Sequence, residues 1–317
     1  MVTIASQLGV MFGSVFSFAT SGVLADSEFL GGWPLPFYVG GIIGFVWFLF
    51  WVSLVSSSPD SHPYITPSEK NYITGALLAE IKGDQTISKK VKFTEVPWAS
   101  ILLSPPVWCV FISHFSFNWC FYILLTTLPQ YFKTMLGFNL RSNGLLSSIP
   151  YIAIIVVQLS VGQIADLLRE RFNVKTVYVR KFCDCTGHFL PGVCLLIVGF
   201  LGCNPTGAVA MLVLMVGISG FCLGGFAPNL FDICPSYAGI VMGISNTLAT
   251  VAGIAGPYVT AVLTEGPPSF QSWRKVFYIT TSIYWFATVF YFFFAEATIQ
   301  KWAISKPQKK VEPPEKF

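Results

Sequence analysis

The chain has 317 residues, of which 54% are hydrophobic, 16% are aromatic and only 11% are charged. A soluble domain carries about 25% charged residues, so this composition excludes an ordinary soluble globular protein and indicates a multi-pass protein of a lipid bilayer. The formal net charge of +4 does not indicate a nucleic-acid partner, because the basic residues are scattered through predicted loops and are not gathered on one face.

Eight apolar segments are long enough to cross a membrane, since about 20 helical residues span a hydrocarbon core of about 30 Å. The predicted fold class is therefore all-α, with every span a helix. The predicted spans cover residues 3–25, 36–56, 105–128, 143–165, 182–203, 207–229, 236–263 and 274–296.

One long polar loop, 57–104, separates the second span from the third. Within it, Thr66 is followed by a proline and, three positions on, by Glu69, which is the pattern of a helix start. We therefore predict a short helix across 67–82 on the membrane surface. The prolines and lysines of 298–317 predict a disordered tail. The predicted divisions of the chain are 1–56, 57–104, 105–297 and 298–317.

The lysines and arginines predict the orientation. Fifteen of the 19 lie in the long loop, after the fourth span or in the tail. The other four, Lys133, Arg141, Arg274 and Lys275, lie on the opposite side. Because basic loops stay in the cytosol, the long loop and both termini are predicted to be cytosolic.

The seventh span, 236–263, is interrupted by small and polar residues. Gly239 with Gly243, and Gly253 with Gly256, have the spacing that lets a neighbouring helix approach closely. Two interpretations are open: a tightly packed helix whose hydroxyls bond to its own carbonyls, or a helix that faces both a bundle and a wet cavity. The hydrogen-bonding side chains of the span are Ser245, Asn246, Thr247 and Thr250.

The first span repeats part of this pattern. Ala5, Gly9 and Gly22 have the same spacing as three small positions of the seventh span. Related halves of this kind are typical of secondary transporters, which bind substrate between the repeats. We expect the small-residue face of the first span to lack a partner within this chain and to meet lipid.

Chemistry-bearing residues are sparse inside the predicted spans. His114 and His188 are the histidines within them, and Asp184 is placed near a cytosolic end. Cys183 and Cys185 have the wrong spacing for a zinc or redox motif. We expect no paired aspartates, no Ser/His/Asp set and no metal-ligand cluster within the spans, and hence no enzyme activity.

Three motifs carry a family resemblance. Residues 162–169, Gly-Gln-Ile-Ala-Asp-Leu-Leu-Arg, resemble the Gly-x3-Asp-x2-Arg/Lys loop of the major facilitator superfamily. Residues 229–240 resemble the junction of helices ten and eleven in its anion:cation symporter branch. Residues 114–132 are similar to the seventh helix of that branch, which contains sialin, the vesicular glutamate transporters and the type I sodium–phosphate cotransporters.

The resemblance implies both a fold and a function. The eight spans match helices five to twelve of a twelve-helix bundle, so helices one to four are expected to be absent. The implied function is secondary active transport of inorganic phosphate or organic anions by alternating access, coupled to protons or sodium, with no other cofactor. The implied location is the plasma membrane or a lysosomal or vesicular membrane. The alternative is a truncated, non-transporting membrane protein with a regulatory or scaffold role.

The third span holds the candidate substrate residues. His114, Asn118 and Tyr122 follow one another at i, i+4 spacing. This stripe is either a set of hydrogen bonds between helices or the lining of a cavity, because polar side chains in a membrane face the bundle or a cavity. The resemblance implies that Tyr122 lines the substrate cavity, with Asn118, His114, Phe117 and Asn246 as further candidates. Phe117 replaces an arginine of the vesicular glutamate transporters, which argues against glutamate.

The charged residues at the cytosolic side are candidates for a second role. The resemblance implies that Asp166, Arg169, Arg180 and Lys181, with Asp232, form a latch that stabilises one orientation of the transporter. The alternative for the basic residues is simple anchoring of the topology by positive charge. For Asp232, the alternative is to cap or brace a helix.

Overall fold

A computed structural model describes residues 2–27, 29–83, 93–202 and 204–304. Within these ranges every long element is a helix, as the sequence predicts. The α-helices are α1 (Val2–Ala25), α2 (Leu35–Leu54), α3 (Pro67–Gly83), α4 (Trp98–Leu102), α5 (Pro105–Met135), α6 (Leu140–Glu170), α7 (Thr176–Leu201), α8 (Pro205–Ser219), α9 (Cys222–Ile233), α10 (Ala238–Leu263) and α11 (Phe270–Phe294).

The eight predicted spans are confirmed, and the protein is a multi-pass membrane protein. Eight segments of the described chain are long and apolar enough to cross a membrane. One of them, Pro205–Ile233, consists of two helices, α8 and α9, with a break at Gly220 and Phe221. α5 runs to Met135, seven residues beyond the predicted end of its span, because the helix continues through Pro129.

α5 to α11 form one bundle of six spans. α5 packs against α10, α11 and α9, while α7 packs against α11, α8 and α9, and α6 packs against α8. Large side chains fill the interior, and Phe111, Phe132, Tyr151 and Tyr284 are all at most 1% exposed. The six-span bundle therefore has a buried core of its own.

α1 lies on the outside of this bundle, against α6. The ring of Phe18 stacks on the ring of Tyr151 with centroids 5.4 Å apart. A Cβ added at Gly144 would lie 2.8 Å from the Gly22 Cα, so two glycines allow the contact. The expectation that the small face of α1 lacks a partner is therefore wrong at Gly22, although an added Cβ at Gly9 would meet nothing within 4 Å. The side chain of Ala5 lies outside the described residues.

α2 differs from the other spans because it has no buried residue. Its main neighbour is α1. Its exposed surface is rich in large apolar side chains such as Phe45, Trp47 and Phe50, which suit contact with lipid.

The predicted helix across 67–82 is confirmed as α3, and its position on the membrane surface remains a prediction. Thr66 Oγ1 accepts a hydrogen bond from the backbone N–H of Glu69 at 3.3 Å, which is the predicted cap. The predicted disorder of the tail is wrong for residues 298–304, because the Gln300 N–H donates to the carbonyl of Ile233 and the Trp302 ring lies on Tyr237. Residues 305–317 lie outside the described chain, and the domain divisions and the orientation remain predictions.

Candidate functional site: the α5–α10 seam and the α7–α9 contact

α5 and α10 run side by side in the same direction and meet in close contact, which we call the α5–α10 seam. His114 Nδ1 lies 2.7 Å from Ser245 Oγ. Eight residues further along each helix, a Cβ added at Gly253 would lie 2.8 Å from the Tyr122 ring, and one at Gly256 would lie 3.0 Å from Ile123. The predicted close approach at these two glycines is therefore confirmed, and its partner is α5.

The other two glycines of α10 behave differently. A Cβ added at Gly239 or Gly243 would meet nothing within 4 Å, so the prediction that another helix packs there is wrong. Asn246 and Thr250 continue the same face at helical spacing and are also exposed. We call Gly239, Gly243, Asn246 and Thr250 the open stripe. No large apolar side chain lies on it, although the helix crosses the membrane.

Both interpretations of this span find support in α10. The hydroxyls of Thr247 and Thr250 donate to the carbonyls of Gly243 and Asn246 in their own helix, at 3.0 and 2.8 Å. These two hydrogen bonds agree with the first interpretation, in which the hydroxyls bond to carbonyls of their own helix. The exposed amide of Asn246 favours the second interpretation, since lipid offers a polar group no hydrogen bond.

The five candidate substrate residues divide into two groups. His114 is 7% exposed and stacks on Phe226 with centroids 5.0 Å apart, and Phe117 is equally buried. Asn118 and Tyr122 are partly exposed at the seam, and Asn246 is exposed beside it. The Asn118 amide donates to the carbonyl of His114 at 3.0 Å. The structure thus leaves Asn118, Tyr122 and Asn246 at least partly exposed, and it buries His114 and Phe117.

An apolar cleft lies on another side of α5. A cleft of about 380 Å³ between α5, α10 and α11 is lined by residues such as Trp108, Phe115 and Phe286, and by none of the candidate substrate residues. Its lining is unsuited to a small anion, which needs hydrogen-bond donors or positive charge.

Arg180 and Asp232 join the start of α7 to the end of α9. Arg180 Nε lies 2.7 Å from Asp232 Oδ2, and Arg180 Nη1 donates to the carbonyl of Gly224 at 3.1 Å. The Arg180 side chain is 6% exposed and that of Asp232 is 19% exposed. Asp232 therefore braces two helices in this structure.

The expectation of no metal-ligand cluster within the spans is wrong. Ser113, Asp184, His188 and Cys222 meet inside the bundle, and all four are fully buried. Asp184 lies eight residues inside α7, which is about 12 Å from the helix start, and so not at the end of the helix. The i, i+4 spacing of Asp184 and His188 within one span was the available signal. Ser113 and Cys222 come from other helices, so no sequence spacing reveals them.

This cluster does not have the arrangement of a catalytic triad. The Ser113 hydroxyl donates to Asp184 Oδ2 at 2.8 Å, so the carboxylate, and not the imidazole, accepts its proton. A nucleophilic serine needs a base in hydrogen-bond contact and access to substrate. Ser113 has no hydrogen bond to the His188 imidazole among the described residues, and its burial denies access to a substrate.

Comparison with known proteins gives the same family that the sequence motifs indicate. Residues 1–257 match the Major Facilitator Superfamily. The chain belongs to this superfamily. It is 40% identical to sialin of Ovis aries over 303 residues, which are 96% of this chain and 59% of that protein. It is 36% identical to vesicular glutamate transporter 3 of Danio rerio over 298 residues, which are 94% of this chain and 49% of that protein.

The chain spans less than two thirds of the length of those relatives. The chain is also 40% identical to sialin of Homo sapiens over 300 residues, which are 58% of that protein. The chain therefore lies in the branch that contains sialin and the vesicular glutamate transporters.

The superfamily loop motif, residues 162–169, lies at the end of α6. Asp166 and Arg169 line a polar groove of about 310 Å³ at the turn into α7, together with Lys175. The Lys181 ammonium lies over the Phe292 ring instead, 5.8 Å from its centroid. Among the described residues, no ion pair or hydrogen bond joins any of these side chains to Arg180 or Asp232. The five candidate latch residues thus occupy three separate places.

Proposed function

We propose that this chain forms the substrate-binding C-terminal part of a secondary active anion transporter. The observation that carries the proposal is the open stripe of α10 beside Asn118 and Tyr122. Asn118, Tyr122, Asn246 and Thr250 are polar, lie within helices long enough to cross a membrane, and are partly or fully exposed in the described chain. Polar side chains at this depth face a cavity or another bundle and not lipid. An aqueous cavity between two half-bundles meets that requirement.

The six-span bundle supplies one wall of the cavity in this proposal. Tyr122 and Asn118 contribute a phenol and an amide on the α5 side, and Asn246 contributes a second amide from α10. Each of these groups can donate a hydrogen bond to a carboxylate or phosphate oxygen. The buried His114 positions the seam through Ser245 and does not reach the substrate.

In this proposal, the substrate is an anion of the kind that the names of the relatives indicate, and a coupling ion drives its uptake. The candidates are organic anions, with sialic acid and glutamate among them, and inorganic phosphate. Uptake is coupled to protons or sodium. Phe117, which packs against Phe121 and Phe226, puts no charge near the seam and disfavours glutamate. The proposed location is the plasma membrane or a lysosomal or vesicular membrane, with both described ends of the chain on the cytosolic side.

Mutation of the seam tests the proposal in a chimera in which this chain replaces the matching segment of ovine sialin. Tyr122→Phe removes one hydroxyl and keeps the ring against Gly253. A hydrogen bond is worth about 0.5–1.5 kcal/mol net, so the KM for the transported anion should rise about two- to tenfold at unchanged protein level. Asn118→Ala should act in the same direction. Uptake kinetics in proteoliposomes measure both effects.

Tyr278→Phe is the matched control, because Tyr278 lies on α11 beside Phe200 and away from the seam. Its KM should equal that of the parent chimera. If Tyr122→Phe and Asn118→Ala both leave KM unchanged, these residues serve packing alone and the proposed cavity wall is wrong.

The non-transporting alternative makes a different prediction for the same chimera. A scaffold or regulatory protein would give a folded chimera without saturable uptake of any anion. No described feature favours this alternative over transport.

A further inference from the structure

The buried cluster of Ser113, Asp184, His188 and Cys222 has no role in the proposed transport cycle. His188 Nδ1 lies 3.4 Å from Asp184 Oδ2 and 3.3 Å from Cys222 Sγ. One ligand atom each from Asp184, His188 and Cys222 lies within 4.8 Å of the other two. A carboxylate, an imidazole and a thiol from two helices thus converge on one point in the membrane interior.

The backbone is shaped to bring these groups together. A Cβ added at Gly187 would lie 2.5 Å from both the backbone N and the Sγ of Cys222, and one added at Gly225 would lie 2.5 Å from the Asp184 Cβ. α7 and α9 therefore approach more closely than any other residue type would allow. Cys222 is the first residue of α9, directly after the break in the span.

One carboxylate oxygen in the cluster has no partner. Asp184 Oδ2 accepts the hydrogen bond of Ser113, whereas Asp184 Oδ1 is buried and makes no hydrogen bond among the described residues. Leaving a buried polar atom unsatisfied is costly, and in a membrane interior no solvent compensates for it. An unpartnered carboxylate oxygen beside an imidazole and a thiol is a suitable position for a ligand with positive charge.

The ligand distances fit a small tetrahedral ion. Zinc binds nitrogen at about 2.0–2.1 Å and sulfur at about 2.3 Å, so neighbouring tetrahedral ligands lie about 3.3–3.8 Å apart. The distances from His188 Nδ1 to Asp184 Oδ2 and to Cys222 Sγ fall in this range. The same nitrogen lies 3.0 Å from the backbone carbonyl of Asp184, a contact that metal binding would replace. Calcium and magnesium prefer sites made of oxygen ligands alone, and copper(I) prefers thiolate and thioether ligands. The mixed S, N and O set therefore favours zinc.

We propose that Asp184, His188 and Cys222 bind a zinc ion that ties α7 to α9 inside the bundle. On binding, the Cys222 thiol releases its proton and the thiolate binds the metal. One carboxylate and one thiolate then balance the charge of Zn²⁺, which leaves a neutral site in a region where net charge is unfavourable. The Ser113 hydroxyl holds the carboxylate in position, as partners of metal ligands commonly do.

Metal analysis of the purified chain tests the site. The wild-type protein should carry about one zinc per chain, as a single tetrahedral site requires. Cys222→Ser and Asp184→Asn should lower the zinc content to background. Cys234→Ser is the matched control, because Cys234 is a buried thiol at the end of α9 that bonds to the Leu230 carbonyl. It should retain the metal. Equal zinc in wild type and Cys222→Ser would overturn the proposal.

A measurement on the wild-type protein alone covers the case in which the variants do not fold. After treatment with a chelator, added zinc chloride should raise the melting temperature, since a ligand that binds only the native state stabilises it. Magnesium chloride at the same concentration should leave it unchanged. No shift with zinc, or the same shift with both salts, would contradict the site.

Discussion

Gly225→Ala should disrupt the fold of the six-span bundle, with a loss of about 3 kcal/mol or more, which is the upper end of the range for overpacked cores. The new Cβ would lie 2.5 Å from the Asp184 Cβ and 2.7 Å from the Asp184 backbone N. Because the contacted atoms belong to the backbone and its first side-chain carbon, no rotamer change relieves the clash. The melting temperature and the size-exclusion profile in detergent measure the effect.

Gly243→Ala is the matched control for this prediction. It makes the same change in a membrane-spanning helix, but its Cβ would meet nothing within 4 Å. Alanine is favoured over glycine in a helix by about 0.5–1 kcal/mol, so this variant should be as stable as wild type or slightly more so. If both variants melt alike, α7 and α9 do not approach as closely as the structure shows.

The polypeptide of residues 1–317, reconstituted alone, should show no saturable anion uptake. Alternating access requires two half-bundles that move about a shared site at the membrane midplane. In the described chain one six-span bundle is present, α1 lies on its α6 side and α2 has no buried residue. In the described chain, the open stripe therefore faces no second half-bundle. Uptake of sialic acid, glutamate and phosphate under a proton or sodium gradient is the measurement.

The sialin chimera serves as the positive control for this experiment. It should take up at least one of the three anions with saturable, gradient-dependent kinetics. Saturable uptake by residues 1–317 alone would show that one six-span bundle and two further spans suffice, and it would refute the need for a second wall.

The sequence predicts the fold well because its strongest signals are local. Apolar length predicts every span, and the Thr66 cap predicts the start of α3, since each depends on residues that are neighbours in the chain. The family motifs are likewise contiguous segments. The break between α8 and α9 was missed because the apolar run continues through it without a charge.

The sites were predicted less well because they depend on contacts between helices. Small residues show that a close approach is possible but not whether a partner is present, so the prediction succeeds at Gly253 and fails at Gly239. The cluster at Asp184 was missed for the same reason, since Cys222 joins it only through the packing of α9 on α7. The i, i+4 pair of Asp184 and His188 was the part of it that the sequence could have revealed.

The central claim is that the open stripe lines an aqueous anion cavity. Thr250 and Val251 are adjacent and both exposed on α10, about 18 Å from the start of the helix, but their side chains point about 100° apart. Cysteine is introduced at each position in the sialin chimera, as Thr250→Cys and Val251→Cys. The rate of reaction with a charged, membrane-impermeant thiol reagent is then measured with and without the transported anion.

Thr250→Cys should react at least about tenfold faster than Val251→Cys, because only a hydrated thiol ionises to the reactive thiolate. The transported anion should slow the reaction at position 250 and leave position 251 unchanged. Equally slow reaction at both positions in a folded chimera would place the open stripe in lipid or in a packed interface, and it would contradict the proposed cavity.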